Sequence, residues 1–216
     1  MNRAELKANA KLQIKGKIGV LFVITLIIAV VSAVAGFVLG LIPVVGPLAA
    51  TVIVTPAFTL SLVRVYLMVI GGKKPEAKDA FCGFDDFWSA FKVTFLVGLF
   101  TFLWSLLLIV PGIIKSLSYS MAMYILAENK GKGALECINE SKALTNGHKG
   151  ELFVLGLSFI GWMLLGYITL GIVYIWVIPY MQATYANAYQ SLKPVVVEAP
   201  AEYAPVEAAP AAETAE

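Results

Sequence analysis

"LWSLLLIVPGIIKSLSY", residues 103–119, reads like the middle of one apolar helix, yet it holds Pro111-Gly112 and then Lys115. Whether the chain passes straight through or turns back there decides the topology. A helix unbroken from 93 to 127 would be about 50 Å long at about 1.5 Å per residue, and a bilayer core measures only about 30 Å. A reversal at Pro111-Gly112 gives two shorter helices instead. Proline would end the first, and glycine would take a backbone geometry other residues resist.

The composition says why a bilayer is the right yardstick. Of the 216 residues, 59% are hydrophobic and only 14% charged, against about 25% charged in soluble domains. A core of this size cannot hide that much apolar surface, so lipid must serve as its solvent. The net charge of +2, with no long basic run, argues against a nucleic-acid partner. Cys82 and Cys137 stand alone, with neither disulfide-framework nor metal-ligand spacing.

Uncharged runs outline the helices. The stretch 18–63 has no charge and is too long for one span, and Pro43, Gly46 and Pro47 divide it. The expected fold is all-α, a polytopic transmembrane bundle of six spans in three hairpins. Those spans fall at about 18–42, 47–70, 90–110, 112–128, 151–168 and 171–192. A basic amphipathic helix over 1–17 precedes them, and a Pro/Ala/Glu tail over 193–216, disordered by composition, follows. "SAVAG" near Ala33 and Ala35 resembles a leader-cleavage pattern, but its apolar stretch is too long and runs into a second span.

Charge placement favours the reversal. With it, Lys and Arg concentrate in 1–17, 71–92, 128–151 and Lys193, and the alternate connections at 43–47, 111–112 and 169–171 carry none. Only Arg64 and Lys115 depart from this pattern, and every acid obeys it. The positive-inside rule makes the charged side cytoplasmic. In the competing five-span topology 112–128 lies along the interface, and 128–151 and the tail are outside. An internal repeat supports six spans. "FLVGLFTFLWSLL" at 95–107 aligns with "FVLGLSFIGWMLL" at 153–165, matching Gly98 with Gly156 and Trp104 with Trp162.

The motifs "PGIIK.L.YSM", "GHK" and "LSFIGW", with "RAELKANAKLQIKGK" at the N-terminus, carry a resemblance. Over about residues 3–192 the chain resembles a bacterial integral-membrane family catalogued as domain of unknown function 975. It is distantly similar to the membrane domain of some glycerophosphodiester phosphodiesterases, with no phosphodiesterase domain following here. The resemblance implies a multi-pass protein of the bacterial plasma membrane. It brings no activity and no catalytic residues.

The charged segments have patterns of their own. Asn2 and Glu5 are spaced as a capping box. Arg3, Lys7, Lys11 and Lys15 recur every four residues beside a stripe of Leu6, Ala10 and Ile14. Such a helix either lies on anionic lipid headgroups or merely orients the first span. Phe81, Phe84, Trp88 and Phe91 predict an interfacial helix over 77–92 with an aromatic anchor.

Polar residues within spans are the candidate site. Arg64 lies well inside the second span, where a charge is costly unless it snorkels or pairs with Asp85, Asp86, Glu140 or Asn187. Tyr119, Ser120 and Tyr124 on the fourth span, and Tyr180, Thr184 and Asn187 on the sixth, form polar stripes. With Arg64 they either line a cytoplasm-facing cavity or bond helix to helix, and Pro56 and Pro179 offer kinks. Ser32, Gly36 and Gly40 form a small-residue stripe suited to helix packing within or between chains.

Catalysis has little to stand on. His148 is the lone histidine, suited to a headgroup or helix-end contact, and adjacent Asp85 and Asp86 suit a solvated loop. "GLSFIG" is not a nucleophile elbow. The expected protein is a non-catalytic membrane accessory or scaffold without cofactor or metal, its partners anionic lipid and either another membrane protein or a second copy. The alternative is a small transporter or export component for an amphipathic solute. Both termini are expected in the cytoplasm.

Overall fold

The computed structural model describes residues 3–40, 45–169, 171 and 173–193, and the side chains of all these except 39–40 and 45–53. Among the described residues the chain is all helical, with no strand. In chain order its helices are α1 (Arg3–Ile14), α2 (Ile18–Gly40), α3 (Val45–Ile70), α4 (Phe87–Leu107), α5 (Ile109–Tyr119), α6 (Ala122–Glu128), α7 (Ala134–Leu144), α8 (Lys149–Ile168) and α9 (Tyr174–Leu192). Asn2, part of the expected turns near 43–47 and 169–171, and the tail from 194 onward lie outside the described residues.

Among the described residues four stretches are long and apolar enough to cross a membrane: Ile18–Val38, Ala77–Leu107, Ile109–Glu128 and Lys149–Ile168. Val54–Ile70 is apolar but shorter, because the side chains preceding it are not described. Helix α9 falls short for a different reason, carrying Gln182, Thr184, Asn187, Gln190 and Ser191 from its middle onward.

The deciding stretch turns back, but not where its sequence points. Helix α4 stops at Leu107, Leu108 is extended (φ −160°, ψ 141°), and α5 starts at Ile109. Pro111 therefore sits in the first turn of α5, where a missing N–H is harmless. Its ring explains the break upstream, since in a continuous helix it would collide with the carbonyl four residues back, at Leu107. Gly112 is helical, and what it supplies is room. A Cβ there would stand 2.3 Å from Ser105 Oγ and 2.9 Å from Ser105 Cα. Seven residues along a straight helix span about 10 Å, so this approach requires α5 to run back along α4. Lys115 Nζ over the Trp104 ring (4.5 Å) and Phe100 beside Tyr119 (6.3 Å between centroids) continue the same antiparallel pairing.

Helices α8 and α9 pair likewise. The Gly171 N–H bonds Gly166 O (2.8 Å) to close the end of α8, and Gly171 has φ +89°, a left-handed value that favours glycine. Tyr174 then bonds Met163 O (2.8 Å), and Phe159 meets Tyr180 (5.6 Å between centroids).

Between α5 and α6 the helix is kinked by a side chain. Ser141 Oγ of α7 donates to Ser118 O (2.8 Å) and accepts from Met121 N–H (3.2 Å), bridging a gap in the helical ladder. Over 77–92 the expected single helix is instead two 3-10 turns, Ala77–Phe81 and Phe84–Asp86, leading into α4. Gly83 causes the interruption. A Cβ on it would fall 2.0 Å from Ala57 O, and its N–H bonds Ser61 Oγ at 2.8 Å, so the segment is pinned against α3.

Burial divides α2, α4 and α8 into halves. The core takes Leu21, Ile24 and Ile28 from α2, Leu60, Val65 and Tyr66 from α3, Ala90 and Val93 from α4, Leu152, Leu155 and Phe159 from α8, and Ala183, Ala186 and Tyr189 from α9. Beyond them α2 exposes Val34 and Phe37, α4 exposes Leu106 and Leu107, and α8 exposes Leu164 and Ile168. Soluble proteins rarely leave a contiguous apolar belt so bare. The packed half carries the charged segments: Lys17 Nζ bonds Val69 O and Lys73 O (both 3.1 Å), capping the end of α3.

Candidate functional site

Arg64 is 7% exposed on the inner side of α3, and the Gly83 contact brings partners to it. One guanidinium nitrogen donates to Cys82 O at 2.6 Å, and another forms an ion pair with Asp86. Its Nε is buried with no hydrogen-bond partner. The residue therefore pairs within its own fold and does not snorkel. A hollow of about 440 Å³ opens beside it, bordered also by Met68, Lys73, Cys82, Glu128 and Lys130. Glu128, at the end of α6, ties in α9 by accepting from Tyr189 OH (2.8 Å) and Gln190 Nε2 (3.0 Å) and by pairing with Lys193.

The other candidate polar residues do not border that hollow. Tyr124 is buried and stacked on Tyr189 (5.3 Å between centroids). Tyr119 is buried beneath Lys142, whose Nζ lies 5.6 Å from the ring centroid. Ser120 is exposed and bonds Leu117 O (2.8 Å), and Thr184 bonds Tyr180 O (2.7 Å) within its own helix. Asn187 exchanges two amide bonds with Gln13 of α1 (3.2 and 2.6 Å). Of these residues Tyr124 and Asn187 make contacts between helices, Ser120 and Thr184 bond backbone three or four residues back, and the hollow at Arg64 stands apart from all of them. Helical spacing shows which residues share a stripe, but not which neighbouring helix faces it.

A second concavity lies across the packed half. Helix α1 turns Leu6, Ala10 and Ile14 into the core and rests against α9, so its apolar face meets protein and not lipid. Its basic face looks outward. Lys11 and Lys15 rim a groove of about 240 Å³ walled by Trp162, Trp176, Val177 and Tyr180. Lys11 Nζ is 5.9 Å from the Tyr180 ring centroid, and Lys7 Nζ is 4.6 Å from that of Phe159. Partial burial and the Arg3 charge hold the Lys7 ammonium below its usual pKa. The sequence marked the lysines but not Trp162 and Trp176, which come together only when α8 and α9 pair.

The small-residue stripe on α2 is described only in part. A Cβ on Gly36 would meet open space, Ser32 borders a shallow hollow beside Phe58, and the side-chain position of Gly40 lies outside the description. His148 precedes α8 and lies 3.0 Å from Glu151. Cys137 is buried on α7, which raises its thiol pKa. Among the described residues no three His, Cys, Asp or Glu side chains converge as a metal site.

The model of a family described as "Protein of unknown function (DUF975)" matches residues 1–118 and 106–195. No curated protein and no solved structure matches the chain.

Proposed function

Because the chain belongs to the DUF975 family, which brings no activity with it, we propose a role from its own geometry: a non-catalytic accessory or scaffold protein of the bacterial plasma membrane. Six helices cross as three hairpins, α2/α3, α4 with α5–α6, and α8/α9. Residues 1–17, 71–92, 128–151 and the segment from 193 lie in the cytoplasm. The observation that carries the scaffold reading is the bonding of two inner polar residues to neighbouring helices, Asn187 to Gln13 and Tyr189 to Glu128. Groups spent on holding helices together are not free to conduct a solute. The six-span topology is supported by the gathering of charged segments at the packed half, where Lys17 meets Lys73 O and Glu128 meets Lys193.

Topology and role are tested separately. An impermeant maleimide should reach Leu108→Cys in intact cells, and should reach Leu135→Cys, exposed on α7, only after permeabilisation. Labelling of Leu135→Cys from outside would overturn six spans. For the role, the purified chain in liposomes should show no saturable flux and should be recovered repeatedly with one membrane partner or as a defined oligomer.

The hollow at Arg64 favours a second reading, a carrier for a solute with an anionic group. Arg64→Leu alone should lower stability by about 2–3 kcal/mol, because it strands Asp86. Arg64→Leu with Asp86→Leu should recover most of that loss if the pair is purely structural. Specific flux that vanishes in the stable double variant would establish the carrier.

A further inference from the structure

We propose that the groove between α1 and the α8/α9 pair is a binding site for one anionic phospholipid, whose phosphate lies between Lys11 and Lys15 and whose upper acyl chain lies on Trp162 and Trp176. This rests on the membrane-embedded reading above and adds a defined ligand to it.

Three features define the occupant. The rim is basic and uncompensated: among the described residues neither Lys11 nor Lys15 has a carboxylate in ion-pair range, unlike Lys132 with Glu140 or Lys193 with Glu128. The walls are aromatic and half-exposed, with Trp162 46% and Trp176 61% accessible. Met163 and Ile175, next in sequence to the two tryptophans, and Leu164 belong to the exposed apolar surface. A soluble anion would use only the rim, and an uncharged lipid only the walls. A molecule with phosphate at one end and hydrocarbon at the other uses both. Lysine ammonium groups beside tryptophan faces suit a phosphate that adjoins hydrocarbon. Gln13 fixes the height of the rim by bonding Asn187, which holds α1 against α9.

The test uses the full-length chain in neutral detergent, titrated with dioleoylphosphatidylglycerol, dioleoylphosphatidylcholine or glycerol phosphate. Bound lipid is read by native mass spectrometry, and melting temperature is followed alongside. Phosphatidylglycerol should bind at least about tenfold more tightly than phosphatidylcholine, and glycerol phosphate should not displace it. Lys11→Gln with Lys15→Gln should weaken phosphatidylglycerol about thirtyfold and leave phosphatidylcholine unchanged. Trp176→Leu should weaken both lipids. Lys74→Gln with Lys78→Gln, on an exposed loop, should change neither.

Equal affinity for the two lipids in the unaltered chain overturns the site. So does an equal loss in the Lys74/Lys78 variant, which would mean diffuse attraction. Displacement by glycerol phosphate would mark a free-anion site instead. Should the Lys11/Lys15 variant fail to fold, the lipid comparison and Trp176→Leu decide alone. A chain absent from the membrane fraction removes the embedded reading itself. An embedded chain without lipid preference removes only this site.

Discussion

The pairs α4/α5 and α8/α9 begin with the same repeated sequence and end as different structures. In both, a helix entered from the charged end meets a Trp in its final turns and doubles back. In the first pair the close approach is made by Gly112 of the returning helix against the Ser105 side chain and Cα. In the second it is made by Gly166 of the outgoing helix, where a Cβ would lie 2.2 Å from the Tyr174 ring. Trp104 receives Lys115 from its own partner, whereas Trp162 walls a groove rimmed by α1. The repeat therefore specifies reversal, and the residues after it specify what each pair packs against.

The sharpest way to break the comparison is Gly112→Val. Its obstacles are the Ser105 hydroxyl and, behind it, the Ser105 Cα, so the crossing must open, at a cost of about 3 kcal/mol. The melting temperature in detergent should fall accordingly, and Ser105→Gly should rescue it only in part. An unchanged melting temperature would mean that α5 does not cross α4 at this point.

Gly166→Ala should cost less, about 1–2 kcal/mol, because its obstacle is a ring that can swing away. The loss is then chiefly the Tyr174–Met163 bond. Adding Tyr174→Leu should relieve the clash, whereas no rescue would place the obstacle elsewhere.

The smallest effects come from the two glycines that align in the repeat. Gly98→Ala faces open space and should stabilise by up to about 1 kcal/mol through helix propensity. At Gly156 the new methyl meets Tyr185 OH at 3.2 Å, so Gly156→Ala should be close to neutral. Equal shifts in the two variants would mean that the second pair is as loose at this level as the first.

The sequence carried the helical class and the family, because apolar runs and motifs leave marks on consecutive residues. But it set the break of the deciding stretch at Pro111-Gly112 and not at Leu108, since a proline ring acts on the turn before it. Asp86 was legible only as one of four candidates for Arg64, since the choice depends on how Gly83 seats its turn on α3. The aromatic run at 81–91 looked helical because spacing records periodicity and not the near-contact at Gly83 that forbids it. Tyr124, Thr184 and Asn187 were grouped with Arg64 because each is polar inside an apolar run. Which of them faces Gln13, Tyr189 or a hollow depends on helix rotation, and sequence spacing does not encode that.

The bond between Gln13 and Asn187 joins residues 174 positions apart. At a synthesis rate of about 5–20 residues per second, α1 waits roughly 10–35 s before α9 exists to receive it. Through that interval Leu6, Ala10 and Ile14 have no α9 surface to cover them. Their docking is therefore a late event in biogenesis, and an N-terminal helix still accessible to protease or chaperone marks a chain whose final helix is absent or misplaced.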